Sequence, residues 1–165
     1  METTTVQSEK ELFIKIILSN WELQNKRLNG FIDKLSDEKI ESEVSAGKNS
    51  GLYLLGHLAA VSDSMIPLLG FGEKLYPELE NIFIKNPDKS GLEKPSLGLV
   101  KEYWHNINNT LAGYFSNMQP EEWFEPHTAI SADDFAKEPH RNKLNILLNR
   151  TNHEAYHLGQ LIFLK

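Results

Sequence analysis

Cysteine is absent from the 165 residues of this chain. Without cysteine there can be no disulfide framework, no thiolate nucleophile and no sulfur ligand for a metal. Any metal that the protein binds must therefore be held by histidine, aspartate or glutamate. The sequence has six histidines and 23 acidic residues that could serve as such ligands.

The sequence also lacks a long apolar run and an excess of positive charge. Its formal net charge is -6, and acidic and basic residues are interspersed. This pattern offers no basic stripe for a nucleic-acid backbone. The segment from Met1 to Lys10 is polar, with no apolar signal-peptide core, and no apolar run reaches membrane-spanning length. These absences predict a cytoplasmic protein with no nucleic-acid or membrane partner.

Strand-like alternation, internal repeats and low-complexity tracts are absent as well, whereas helical periodicity is present in four segments. Apolar residues recur there at helical intervals, so each segment predicts an amphipathic helix. The predicted helices cover residues 9–35, 50–69, 96–118 and 140–165. With 40% hydrophobic residues, a chain of this length suits a single all-α domain over residues 1–165.

Two prolines mark limits of the predicted helices. Pro67 is expected to kink or end the second helix, and Pro139 marks the boundary before the fourth. The second and third helices are joined by about 25 residues and the third and fourth by about 20, which is long for tight antiparallel turns. Long connections of this kind predict a four-helix bundle with crossover connections.

The fourth predicted helix contains the sequence HEAYH at residues 153–157. Two histidines four residues apart share one face of a helix, about 6 Å apart along its axis, and can bind one divalent cation. This face is nearly opposite the main apolar stripe and also holds Ile146, Gln160 and Leu164. It is therefore either a solvated face or, because it has apolar residues at both ends, one wall of a partly buried cleft.

His57 lies at the edge of the apolar stripe of the second predicted helix. A single histidine there is more often a hydrogen-bonded core residue than a metal ligand. If the second and fourth helices pack together, however, His57, His153 and His157 supply three neutral ligands and leave one coordination position open. The other histidines lie in loops or on a polar helix face and are predicted to be surface residues: His105, His127 and His140.

The HEAYH sequence also satisfies the HExxH signature of zincin metallopeptidases, in which the glutamate activates a metal-bound water. The metzincin extension of that signature needs glycine at position 160 and histidine at position 163. This chain has Gln160 and Phe163 there. These differences disfavour a peptidase.

Four short motifs are spread over nearly all of the sequence. They are Trp21, GKNS at residues 47–50, LGHL at residues 55–58, and a terminal HxxxHxxQ at residues 153–160. In order and spacing they resemble the DinB/YfiT-like superfamily of metalloenzymes. The resemblance implies a four-helix bundle, often dimeric, with metal ligands at the three histidines of the last two motifs. Members of that superfamily include metal-dependent transferases that use bacillithiol or mycothiol, and a mycothiol-dependent isomerase.

Residues beside the histidines are candidates for roles in chemistry. Glu154 is a candidate general base because it directly follows a ligand, although a solvent-facing position or a hydrogen bond to a ligand would suit it equally. Gln160 lies one turn after His157 and is a candidate to hydrogen-bond a bound water or substrate, or an ordinary helix residue. Tyr53 and Tyr156 are candidates for the cleft wall, or for core and interface positions.

The resulting hypothesis is a metal-dependent enzyme that acts on a small molecule as a homodimer. It is expected to be a transferase that uses a low-molecular-weight thiol, or a hydrolase. Three imidazoles favour zinc or nickel and also suit iron or manganese. The alternative is a non-catalytic helical stress or interaction protein whose metal is structural or absent. A structural site is closed by a fourth protein ligand, whereas a catalytic site leaves a position for water or substrate.

Overall fold

Helices are the regular elements of the computed structural model, which describes residues 8–165. Four helices are long: α1 (Glu9–Ile32), α3 (Gly51–Asp63), α6 (Leu97–Asn117) and α8 (Lys143–Leu161). Four are short: α2 (Asp37–Glu41), α4 (Met65–Leu68), α5 (Leu79–Phe83) and α7 (Ala132–Lys137). Two 3₁₀ turns span Glu122–Phe124 and Ile162–Leu164. The all-α class predicted from the sequence is confirmed.

The four long helices correspond to the four predicted helical segments, with shorter limits. Helix α1 ends at Ile32 instead of residue 35, and the predicted second helix is divided at Ser64 into α3 and α4. Pro67 accounts for the division, because its nitrogen has no hydrogen to donate to the carbonyl of Asp63, the last residue of α3. The fourth helix begins at Lys143 and not directly after the preceding proline.

Polar side chains cap the start of most helices. Each accepts a hydrogen bond from the backbone N–H three residues further along the chain, which satisfies a donor that the helix leaves unpaired. The capping residues are Ser8, Ser36, Ser50, Ser96, Ser131 and Asn142. A cap of this kind stabilises a helix by about 1 kcal/mol, so these residues define where the helices begin.

Helix α3 packs against α2, α5, α6 and α8, and most of its residues are buried. Helix α1 packs against α8 and also contacts α6 through an aromatic pair and a hydrogen bond. The ring centroids of Trp21 and Phe115 are 5.0 Å apart, and the Trp104 indole donates a hydrogen bond to the Asn29 side chain over 2.8 Å. The buried apolar residues of all four long helices form one continuous cluster.

Helices α3 and α8 run antiparallel, as the position of the start of α3 beside the segment that follows α8 shows. A Cβ atom at Gly51 would lie 2.6 Å from Cδ1 of Leu164, so glycine permits this close approach. The same pairing brings the middle of α3 to the second half of α8. No helix in the described range is both long enough and apolar enough to cross a lipid bilayer.

Candidate metal centre

His57 lies in the middle of α3 and is held by contacts to neighbouring segments. Its Nδ1 donates a hydrogen bond to the main-chain carbonyl of Phe83, at the end of α5, over 2.7 Å. Since a carbonyl can only accept, this bond places the imidazole proton on Nδ1 and leaves a lone pair on Nε2. The Tyr53 ring stacks on His57 with centroids 6.4 Å apart, and its hydroxyl donates to the Asn86 carbonyl over 2.6 Å. These contacts fix the orientation of the imidazole.

His153 and His157 lie one turn apart on α8, where their half-buried rings face His57. Nδ1 of His157 donates a hydrogen bond to Oε1 of Gln160 over 2.6 Å, which again leaves a lone pair on Nε2. Nδ1 of His153 is buried and has no hydrogen-bond partner. The sequence predicts that Gln160 contacts a bound water or substrate, or is an ordinary helix residue. In the structure its Oε1 instead accepts a hydrogen bond from His157, one of the predicted ligands.

The Nε2 atoms of the three histidines converge. Nε2 of His153 lies 3.2 Å from Nε2 of His57 and 3.0 Å from Nε2 of His157. Around a tetrahedral zinc ion with nitrogen ligands at 2.0–2.1 Å, neighbouring nitrogens are about 3.3 Å apart. The three form the potential ligand group of the described residues, and no fourth side chain joins it. Their geometry fits a tris-histidine site for a divalent cation with one position left open.

The same geometry is unfavourable for three imidazoles alone. His57 and His157 both direct a lone pair at His153, because their protons are on Nδ1. His153 can carry a proton on Nε2 and donate it to the Nε2 of one neighbour. No proton is then left for its contact with the Nε2 of the other neighbour, so two nitrogen lone pairs face each other there. A cation between the rings would bind all three nitrogens.

Burial lowers the pKa of both α8 histidines. The pKa of His153 falls from 6.5 to about 4, mainly through burial and further through the nearby His157, His57 and Arg150. Burial also lowers the pKa of His157; the hydrogen bond to Gln160 acts in the opposite direction, and His57 adds to the lowering. Metals bind the neutral imidazole, so both side chains are in the ligand form at neutral pH.

Glu154 lies on the core side of α8, in the stripe that contains Leu147 and Thr151. Its side chain is 5% exposed, so the solvent-facing alternative is wrong. Its Oε1 has no hydrogen-bond partner, and burial raises its pKa to about 8, which keeps the carboxyl protonated at neutral pH. The structure does not bring Glu154 into the group of convergent ligand atoms. Its role as a general base stays a prediction.

The three remaining histidines lie outside the cluster. His105 and His140 are exposed, as predicted. His127 is half-buried, and its Nδ1 accepts a hydrogen bond from the backbone N–H of Ala129 over 3.2 Å.

Both candidate tyrosines lie beside the cluster. Tyr53 is buried and stacks on His57, whereas Tyr156 is 64% exposed and its ring centroid lies 5.0 Å from that of His157. The Tyr156 hydroxyl accepts a hydrogen bond from the Gln160 amide over 3.3 Å. Tyr53 thus supports the site from inside, and Tyr156 covers it from the solvent side.

Two further residues bear on the site and were missed by sequence analysis. Phe83, which supplies the carbonyl for His57, lies in a segment without a periodic pattern, so the sequence contained no signal for it. Arg150 precedes His153 by three residues and His157 by seven, a spacing that places all three in one row of α8. That spacing was a usable signal.

A surface cavity of about 330 Å³ adjoins the site on the side of Gln160. Its walls include Leu54, Phe163 and the loop at residues 47–49 that belongs to the GKNS motif. A larger cavity of about 630 Å³ is lined mostly by α1, and none of the three histidines lines either cavity. Gln160, which bonds to His157, lines the smaller cavity and so links that cavity to the cluster.

No protein-family model and no curated protein sequence matches this chain. The fold is similar to the crystal structure of a conserved protein from Enterococcus faecalis, with a TM-score of 0.64. The two sequences are 12% identical, and the similarity covers 91% of this chain and 93% of the other. At this identity the similarity concerns the fold alone.

Proposed function

We propose that this protein is a metal-dependent enzyme in which His57, His153 and His157 hold a divalent transition metal. The observation that carries the proposal is the convergence of their Nε2 atoms, 3.0 and 3.2 Å apart in the two close pairs. Zinc and nickel suit three imidazoles best, and iron and manganese are further candidates. The substrate is a small molecule, and the reaction is the transfer of a low-molecular-weight thiol or a hydrolysis.

The side chains around the ligands support this role. A divalent cation on three imidazoles lowers the pKa of a bound thiol or water and so supplies a nucleophile at neutral pH. The Phe83 carbonyl and Gln160 hold two of the rings by their Nδ1 protons, an arrangement that orients metal-binding histidines and makes them more basic. The buried Tyr53 ring lies nearly parallel to the His57 imidazole on one side.

An enzymatic site is favoured over a purely structural one by the number of ligands. Structural zinc sites usually have four protein ligands, whereas catalytic sites have three and an open position. The ligand group in the described range has three members, all half-buried and none fully enclosed. A non-catalytic protein with a structural metal would need a fourth ligand that this group does not contain, whereas the metal measurement below tests the form of the alternative that binds no metal.

We also propose that the chain belongs to the DinB/YfiT-like superfamily. Ser50 of the GKNS motif caps α3, the LGHL motif places His57 in the same helix, and the HxxxHxxQ motif forms the α8 part of the cluster. A homodimer in the cytoplasm is part of this proposal. Exposed apolar side chains that a second copy could cover are Leu12, Phe13, Ile16 and Phe163.

Metal content tests the proposal directly. Purified protein without a tag would be dialysed to equilibrium against a mixture of first-row divalent cations, and bound metal measured by mass spectrometry. We expect roughly one ion per chain in the parent, and loss of that ion in His57→Ala and His157→Ala while circular dichroism shows unchanged helicity.

His105→Ala is the matched control, because His105 is an exposed histidine on α6 outside the cluster. It should keep the full metal content. Absence of metal in the parent, or equal loss in the control, would overturn the proposed metal centre. With metal established, a screen of thiols with electrophilic small molecules would separate the transferase from the hydrolase.

A further inference from the structure

We propose that Arg150 forms a binding subsite for a carboxylate group of the substrate, next to the three histidines. The inference rests on the proposed function for the identity of the reacting centre and adds the chemical class of the substrate. It is carried by the position of Arg150 on α8, by the partial burial of its side chain, and by the lack of any partner for its guanidinium.

Arg150 belongs to the same row of α8 as the two histidines. It is three residues before His153 and seven before His157, so it lies within about 60° of both around the helix and about 5 Å from His153 along the axis. The side chain is half-buried. A group bound by the guanidinium would therefore lie within a short linker of the point where the three Nε2 atoms meet.

The guanidinium has no partner among residues 8–165. No carboxylate lies within ion-pair distance of it, and it takes part in no hydrogen bond within that range. Its Nε is buried and unsatisfied. Arg141, by contrast, pairs with Glu138. A half-buried cation without an acceptor is unfavourable, and a bound anion would remove the cost.

Glu154 lies one turn further along α8 and is the acidic residue of this helix closest to Arg150 in the sequence. The two side chains form no ion pair or hydrogen bond, since Nε of Arg150 and Oε1 of Glu154 are both buried without a partner. The positive charge of Arg150 is therefore not neutralised from within its own helix.

Helix α3 packs against α8 on this side of the cluster. The two helices are antiparallel, so the part of α3 that follows His57 corresponds to the part of α8 that precedes His153. Val61 and Ser64 lie in that part of α3, and both are half-buried, as Arg150 is. Neither an apolar side chain nor a hydroxyl neutralises the charge of Arg150.

A carboxylate fits this subsite better than a phosphate does. The planar guanidinium binds a carboxylate through two parallel hydrogen bonds, and its single positive charge balances one negative charge. A phosphate would bring a further negative charge, and the other cation in this row of α8, Lys143, is already paired with Glu125. The expected substrate therefore carries a carboxylate separated by a few bonds from the group that reacts at the histidines.

The first test observes the guanidinium itself. The sequence contains three arginines, so a nitrogen-15 spectrum of arginine Nε–H groups has Arg27 and Arg141 as internal references. The metal-free protein would be titrated with β-mercaptopropionate and with mercaptopropanol, which has an alcohol in place of the carboxylate. We expect a saturable shift of the Arg150 signal with the acid alone; the absence of that shift, or equal shifts of all three signals, would overturn the proposal.

The second test uses protein loaded with Co²⁺, whose thiolate absorption band reports binding of the same two probes. The parent should bind the acid at least about tenfold more tightly than the alcohol, the preference expected of a charged hydrogen bond. Arg150→Gln should lose this preference. Glu154→Gln should retain it, as should Lys48→Gln, which removes an exposed cation near the cavity beside Gln160.

The outcomes separate the two proposals. Equal binding of acid and alcohol to the cobalt protein would refute the carboxylate subsite and leave the metal centre standing. Failure to bind cobalt would refute the metal centre, and the arginine spectrum of the metal-free protein would still decide the role of Arg150. If Lys48→Gln lost the preference for the acid over the alcohol while Arg150→Gln kept it, the carboxylate would bind at Lys48. That result would refute the subsite at Arg150.

Discussion

The α-carbon of Gly56 lies directly against the ring of Phe83, so that a Cβ atom at position 56 would be 2.4 Å from Cε1 of that ring. Phe83 is also the residue whose carbonyl accepts the Nδ1 proton of His57. The missing side chain at Gly56 thus allows α5 to approach α3 closely enough to hold the neighbouring histidine. One contact serves both the packing of the core and the orientation of a proposed ligand.

Gly56→Ala should therefore weaken both stability and metal binding. The added methyl group must displace the Phe83 ring, at a cost of about 1–3 kcal/mol, and the displaced carbonyl should lower metal affinity by roughly 10- to 100-fold. Urea unfolding and competition with a chelator measure the two effects. Gly113→Ala is the control: a Cβ atom there meets nothing within 4 Å, so it should stabilise α6 by about 0.5–1 kcal/mol without changing metal affinity.

Replacement of Gln160 should separate hydrogen bonding from packing at His157. Gln160→Leu removes the acceptor of the Nδ1 proton, and metal affinity should fall by roughly 10- to 100-fold. Gln160→Glu keeps an acceptor oxygen and should preserve the affinity or increase it. Titration of both variants with Zn²⁺ checks the difference. Equal affinities would show that the 2.6 Å bond does not support the ligand.

Glu154→Gln should remove a specific pH dependence of folding in the metal-free protein. The pKa of Glu154 is about 8 in the folded chain, against an ordinary value of 4.5. Between these two pH values the unfolded chain has lost the proton and the folded chain keeps it. Stability must therefore fall as the pH rises from about 4.5 to about 8, by an amount of the order of a few kcal/mol. Glutamine cannot ionise, and the variant should be more stable than the parent at pH 8.

Urea unfolding at pH 5, 6.5 and 8 tests this expectation, with the parent and the variant compared at each pH so that the contribution of the histidines cancels. Glu73→Gln, at an exposed position, should follow the parent curve. A difference between Glu154→Gln and the parent that does not change with pH would contradict a protonated, buried carboxyl.

Asp88→Asn should destabilise the start of α3, the helix that carries His57. Burial acts to raise the pKa of Asp88, but hydrogen bonds from Lys94 and from Ser50 outweigh it and the pKa is lowered. Asp88 accepts the backbone N–H of Ser50 over 2.7 Å. Loss of the negative charge should cost about 1–3 kcal/mol in urea unfolding at pH 7. Asp33→Asn, at an exposed position after α1, should change stability by less than about 0.5 kcal/mol.

The long helices could be predicted because their apolar residues recur with the helical period. Helix α6, with Trp104, Leu111 and Phe115 among its buried residues, was placed to within one residue at each end. Helix α5 was missed, because five residues are too few to show a period. Its position depends instead on contacts such as that between Phe83 and Gly56, which join distant parts of the chain.

The candidate site was partly predictable for the same reason. The pairing of His153 with His157 follows from local spacing, whereas the contribution of His57 depended on the packing of α3 against α8. Glu154 was interpreted from its place in a motif. Its spacing to Leu147 and Leu161 places it in the buried stripe of α8, and that periodicity was the better guide to its environment.

The contact between His57 and His153 joins positions 96 residues apart. An ion bound to both would act as a removable cross-link, because the unfolded chain keeps the two α8 ligands close but loses the one on α3. Each tenfold increase in free metal above the dissociation constant would then add about 1.4 kcal/mol to the free energy of unfolding. The lifetime of the folded protein in a cell would follow the supply of that metal, so that starvation for the ion would remove the protein as well as its activity.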